Sequence, residues 1–183
     1  WLFRIDRAMV HWAWVDGVPP VGRLSPVRSP RAGALASHAP AHVYSYTVGG
    51  HLLVESGLER ELVEELDGDP EVVWMVSQPC ELHFRRDRQL RRHIPDLLVE
   101  SSDGVLTLWD VRPTPRQSPR FLEMAALTQG ACDAAGWGYR VFAGHSPQRR
   151  VNSMWLSAYR RPPVVIEAYV AVIRDGLMNG SIS

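Results

Sequence analysis

Two aspartates, Asp96 and Asp110, stand where the chain brings strands side by side. Residues 94–100 and 105–112 read as strands joined by Ser101, Ser102, Asp103 and Gly104. A short hairpin loop commonly closes on a left-handed residue, and Gly104 suits that place. Residue 101 then faces 105, and counting back along both strands sets Asp96 opposite Asp110. Side chains directly opposite in an antiparallel pair lie about 5 Å apart. Two carboxylates at that separation repel, and one holds its proton unless a cation compensates. A divalent metal removes that cost. Arg112 shares the face with Asp110 because side chains alternate along a strand.

A third acid comes from the first helical segment, residues 56–67. At 100° steps, Leu58, Leu62, Val63 and Leu66 form one apolar stripe; Glu61, Glu64 and Glu65 lie off it or at its edge, and Glu59 falls inside it. A core-facing carboxylate is expensive unless it is paired, metal-bound or hydrogen-bonded. Structural explanations stand beside the chemical one. Ser56 to Glu59 matches a capping box, in which Glu59 reaches back to a backbone N–H. Asp96 follows Pro95, a step that often only opens a strand. Asp110, alone among Leu106, Leu108 and Val111, has as its structural alternative a salt bridge to Arg112 or another arginine.

The elements that must position these groups follow in order. Residues 1–18, with Trp12 and Trp14, read as a strand pair. Residues 18–40 are rich in Pro, Ser, Gly and Arg and read as a loop or linker poor in core material. A hairpin is predicted over 43–47 and 51–54, strands over 72–77 and 81–84, and an Arg-rich turn over 85–92. A second helix runs from Pro119 to about Ala135, with Pro in its first turn; Gly136 ends it, and 139–143 form a further strand. The tail reads as two short helices broken by Pro162 and Pro163. The fold class is α/β, a mixed sheet flanked by helices with a small helical C-terminal tail. The division expected is an N-terminal strand and linker segment (1–42), a central domain (43–147) and a helical extension (148–183).

Composition bounds the partners. The 183 residues carry 20 basic and 20 acidic side chains, so the chain is no general polycation that coats nucleic acid. Every one of the 20 basic residues is Arg and none is Lys, as GC-rich coding favours. Cys80 and Cys132 have no metal or redox spacing and read as reduced core residues. No apolar run reaches the ~20 residues that span a bilayer, and the expectation is a soluble, cytoplasmic protein with no membrane partner.

Several short stretches together resemble the TnsA endonuclease family. They are Glu55-Ser56-Gly57-Leu58-Glu59, Gln78-Pro79, His93-Ile94-Pro95-Asp96, Trp109-Asp110-Val111-Arg112-Pro113 and Ala135-Gly136-Trp137-Gly138-Tyr139. The likeness covers about residues 43–145. It implies a restriction-endonuclease-like fold of the PD-(D/E)xK kind. It also implies that Glu59 is the helix glutamate, Asp96 and Asp110 the metal-binding acids, and Arg112 the occupant of the family's active-site lysine position. The activity implied is metal-dependent DNA hydrolysis at transposon ends, beside a partner transposase subunit and an ATPase regulator. Hard carboxylate oxygens suit Mg2+ or Mn2+. Arg112 departs from the pattern: a lysine can be tuned downward to deprotonate water, whereas an arginine stays charged and contacts phosphate instead.

For DNA contact the candidates are Arg85, Arg86, Arg88, Arg91 and Arg92, the densest basic run, with His93 beside the site; a solvated hairpin tip and a structural imidazole are the plain alternatives. Two further functions remain open: a non-catalytic module of this fold that binds DNA or a transposase, and a restriction or repair nuclease.

Overall fold

The computed structural model describes residues 1–28, 40–86, 89–157 and 166–178. In chain order the strands and helices are β1 (Leu2–Ile5), β2 (Ala8–His11), β3 (Leu24–Ser25), β4 (Ala41–Ser45), β5 (Gly50–Val54) and α1 (Gly57–Leu66). Then come β6 (Val72–Ser77), β7 (Cys80–Arg86), β8 (Gln89–His93), β9 (Leu97–Ser101) and β10 (Leu106–Val111). The last are α2 (Pro119–Ala135), β11 (Gly138–Phe142), α3 (Pro147–Ser157) and α4 (Ile166–Met178). The protein is mixed α/β, and no helix among the described residues is long and apolar enough to cross a membrane.

One sheet was expected, and the described residues form three. The central one has the order β11-β10-β9-β6 and is itself mixed: β10 and β11 run parallel, the other pairs antiparallel. Parallel neighbours need a long crossover, and α2 supplies it. A second sheet carries β2-β1-β7-β8, with β3 on β1, and β4–β5 is a separate hairpin. The division falls at Ser77-Gln78-Pro79. Gln78 has φ 48°, a left-handed value uncommon outside glycine, and Pro79 has no N–H for a ladder. The chain therefore leaves the central sheet after β6 and re-enters another as β7.

Alternation along the central strands divides the core in two. Val76, Leu98, Leu106 and Leu108 pack with Phe3, Leu82, Cys132 of α2 and Trp137. Met75, Leu97 and Val99 pack with Leu62, Val63 and Leu66 of α1 and with Leu52 and Val54. So α1 and α2 cover opposite faces of one sheet. The stretch after Val18 proves richer in core material than its composition implied, because Leu24 and Val27 are buried. The arginine-rich stretch is likewise mostly strand: β7 and β8 pair from Leu82↔His93 to Arg86↔Gln89, and residues 87–88 lie outside the described residues. Residues 158–165, including Pro162 and Pro163, lie outside the described residues.

Candidate active site

The β9–β10 hairpin holds the register that places Glu100 on Leu106 and Leu97 on Trp109, with Gly104 at φ 80° in the loop. Continued one step, this register sets Asp96 against Asp110. The ladder stops one residue short. Asp96 donates its N–H to the Trp109 carbonyl (2.9 Å), and its carboxylate accepts from the Val111 N–H at 2.6 Å. Asp96 is thus a side-chain cap on the end of β10 rather than a rung beside it.

Asp110 follows Leu106 and Leu108 onto the α2 face and is only 2% exposed. His93 Nε2 lies 2.8 and 3.0 Å from its two oxygens, and the Tyr139 hydroxyl, one parallel strand away, donates to Oδ2. Neither arginine pairing nor solvent explains its burial: its partners are an imidazole and a phenol. Burial, then the Asp110 charge and hydrogen bond, push the Tyr139 hydroxyl well above its ordinary range.

Glu59 reaches the same place from the other face of the sheet. The capping box forms: Ser56 Oγ accepts from the Glu59 N–H at 3.1 Å. The Glu59 carboxylate in turn takes 2.8 Å bonds from Ser56 Oγ and from the Glu55 N–H, one residue further back than the usual partner. Burial raises the Glu59 carboxyl above its ordinary value, against these hydrogen bonds. Helix capping and a site role are compatible, since the first turn of α1 lies on the site.

The electrostatic consequence appears at Asp96. Burial first, then the charges of Glu59 and Asp110, push its carboxyl up to about 8, while the Val111 N–H and the Arg112 charge pull it down. Asp96, at the entry to β9, therefore senses the carboxyl groups brought by α1 and β10.

Glu59, Asp96, Asp110 and Arg112 all line one open cavity of about 1110 Å³, and His93 and Arg92 line it too. Of the other arginines expected at DNA, Arg85 is exposed on β7 and Arg91 is ion-paired to Glu123 of α2. Arg92 lies 3.5 Å from Glu81; Arg86 pairs with Gln89 across β7 and β8, and Arg88 is outside the described residues. Sequence reasoning missed Tyr139, whose partnership with Asp110 depends on the parallel register Asp110↔Val141. It also missed Arg116 and Arg120 on the cavity wall, whose signal was the four-residue spacing from Arg112.

The donor set is carboxylate oxygen, which suits a hard divalent cation, and burial together with the charges of Glu59 and Asp110 raises the Asp96 carboxyl to about 8. As they stand, no three His, Cys, Asp or Glu side chains among the described residues are gathered as a metal-holding group. Glu59 accepts hydrogen bonds on both carboxylate oxygens, and His93 and Tyr139 between them engage both oxygens of Asp110. A cation has to compete with those donors.

No model of a known protein family matches the chain, and no curated protein matches it.

Proposed function

We propose that the chain is a metal-dependent DNA endonuclease subunit with a restriction-endonuclease-like fold, as its resemblance to TnsA proteins implies, acting with a transposase subunit and an ATPase regulator. The observation that carries the reading is the meeting of Glu59, Asp96 and Asp110 at one open cavity, where burial and then the charges of the other two raise the Asp96 carboxyl to about 8. Glu59, Asp96 and Asp110 are the residues that would hold Mg2+ or Mn2+. Such an ion neutralises charge on the phosphodiester and makes the attacking water more acidic.

The chain's own residues have separable tasks. His93 and Tyr139 fix the Asp110 carboxylate in place from two sides. The Val111 N–H fixes Asp96 at the end of β10. Arg112 leaves the end of β10 at the cavity and, with its guanidinium fork, is suited to grip a phosphate by two hydrogen bonds. It stays charged and cannot take a proton from water.

A second reading, a module of the same fold that binds DNA without cutting it, is favoured by Arg112 and by the engaged state of the Glu59 and Asp110 oxygens. One experiment separates them. Mn2+ or Mg2+ is titrated calorimetrically into wild type and Asp110→Ala, with plasmid nicking assayed alongside and folding checked by circular dichroism. Binding and nicking that both vanish in the folded variant support the nuclease. Nicking that survives in Asp110→Ala sinks the site assignment, and DNA binding without metal binding or nicking supports the module.

A further inference from the structure

Six arginines line the cavity: Arg28, Arg92, Arg112, Arg116, Arg120 and Arg150. Three are neutralised by the protein itself, Arg28 by Glu55, Arg92 by Glu81 and Arg150 by Glu61. The other three, Arg112, Arg116 and Arg120, have no ion pair with any acidic group among the described residues. They are consecutive at four-residue intervals, all exposed, and all on the segment leading from β10 into α2. A chain with balanced total charge has therefore left its unpaired cavity arginines together on one wall.

That wall is stiff. Pro113, Pro115 and Pro119 each fix a backbone dihedral. The turn over Thr114–Arg116 closes with Arg116 N–H to the Pro113 carbonyl (2.8 Å) and Gln117 N–H to the Thr114 carbonyl (3.1 Å). Gln117 Nε2 also donates back to the Arg112 carbonyl at 3.0 Å. The Ser118 side chain caps α2, and the Arg112 guanidinium lies over the Phe121 ring, 5.3 Å from its centre. Arginines held on a rigid backbone lose less freedom when they close on a ligand, which favours binding.

We propose that Arg116 and Arg120 continue Arg112 as a phosphate-binding row that holds the backbone of one nucleic-acid strand and leads it to the carboxylates. The ligand class follows from the chemistry. Planar guanidinium forks match phosphate oxygens, and several neighbouring cations with no close ion pair match a repeating polyanion better than a single anion. The cavity they line is open, and its volume of about 1110 Å³ leaves room for a strand. The Arg91–Arg92 stretch, the denser basic run in sequence, is a poorer candidate because both side chains already face carboxylates. This assignment deepens the nuclease reading and rests on it only for where the strand leads.

The test reads binding without cleavage. Wild type, Arg116→Ala, Arg120→Ala and the double variant are titrated against fluorescent duplex DNA in EDTA across a range of salt, with Arg174→Ala, an exposed arginine of α4 outside the cavity lining, as the comparison. Each lost phosphate contact lowers the slope of log affinity against log salt by about one. The expectation is a slope reduced by about one in each single variant and about two in the double, equally on unrelated DNA sequences, and unaltered in Arg174→Ala. Unchanged slopes in folded Arg116 and Arg120 variants overturn the row, as does an equal loss in Arg174→Ala or a wild type that does not bind DNA. A wild type that nicks DNA while those slopes stay unchanged overturns the row and leaves the nuclease standing. Reduced slopes in a protein that never nicks with Mg2+ or Mn2+ leave the row standing and overturn the nuclease.

Discussion

The carboxylates at the floor of the cavity and the arginines on its wall are built by opposite rules. Asp110 is 2% exposed and has protein donors on both oxygens, and Asp96 is bonded to the Val111 N–H. Arg112, Arg116 and Arg120 are exposed, with no close ion pair among the described residues. A buried charge answers to the fold, because burying it without partners is costly. An exposed one answers mainly to its ligand, since surface charges add little to stability. Substitutions in the floor should therefore move stability, proton binding and chemistry together, and those in the wall should move ligand binding alone.

The largest effect expected is in the floor. Asp110→Asn keeps the size of the side chain but removes the charge and turns one acceptor into a donor facing His93 and Tyr139. Nicking should fall on the order of a thousandfold or more, the scale on which members of one catalytic unit fail. Plasmid nicking in Mn2+ checks it. A folded Asp110→Asn that nicks at the wild-type rate would erase the distinction between floor and wall.

Asp96 sharpens the comparison through pH. Its folded carboxyl sits at about 8 against an ordinary 3.8, so between about pH 4 and 8 the unfolded chain has released a proton that the folded chain keeps. The unfolded state then binds fewer protons, and stability falls as pH rises through that window. Every tenfold difference in proton affinity is worth about 1.4 kcal/mol, which makes the loss on the order of a few kcal/mol. Asp96→Asn should abolish this fall and be the more stable protein at pH 8, measured by urea unfolding in EDTA. Mn2+ should recover the wild type at pH 8 and not the variant. A wild type equally stable at pH 5 and pH 8 would show that the three acids do not burden one another.

How much of this was legible in the sequence follows the same division. The register of the β9–β10 hairpin was legible because a glycine at φ 80° and a two-residue alternation determine it. The capping box at Ser56 and Glu59 and both ends of α2 were legible because caps are local. Asp96 leaving the ladder was not, since that depends on a carboxylate competing for the Val111 N–H across the strand pair. Nor was the division between the central sheet and the sheet of β7, which falls at one left-handed residue, Gln78. Tyr139 became a partner of Asp110 only through the parallel pairing of β10 with β11, a contact formed 29 residues along the chain. The arginine wall was hidden for another reason. Density of positive charge in sequence points to residues 85–92, whereas unpaired charge depends on where the glutamates fold.

Glu59 belongs partly to each class, as cap and as site residue, and paired variants separate the roles. Ser56→Ala removes the cap hydroxyl and keeps the carboxylate; Glu59→Ala removes the carboxylate and half the box. Each should cost about 1 kcal/mol of stability, the ordinary value of a helix cap, read by thermal or urea unfolding. Nicking should be lost in Glu59→Ala and largely kept in Ser56→Ala. Equal losses of nicking in both would make Glu59 a structural cap and reduce the candidate metal ligands to Asp96 and Asp110.

Arg112→Lys carries the smallest expected change, and it bears most directly on the wall. Lysine keeps the positive charge at the end of β10 but gives up the fork and the broad stacking surface now over Phe121. If Arg112 only supplies charge to a phosphate, nicking should stay within about tenfold of wild type, a change of at most about 1.4 kcal/mol in the barrier. It should rise if the lysine can be tuned to accept a proton, and the pH profile of nicking would then gain a dependence that wild type lacks. A loss well beyond tenfold, with the salt slope of DNA binding reduced as in Arg116→Ala, would mean that the two-pronged guanidinium grip itself is required. Arg112 would then hold its place in the phosphate row by that grip and not by charge alone.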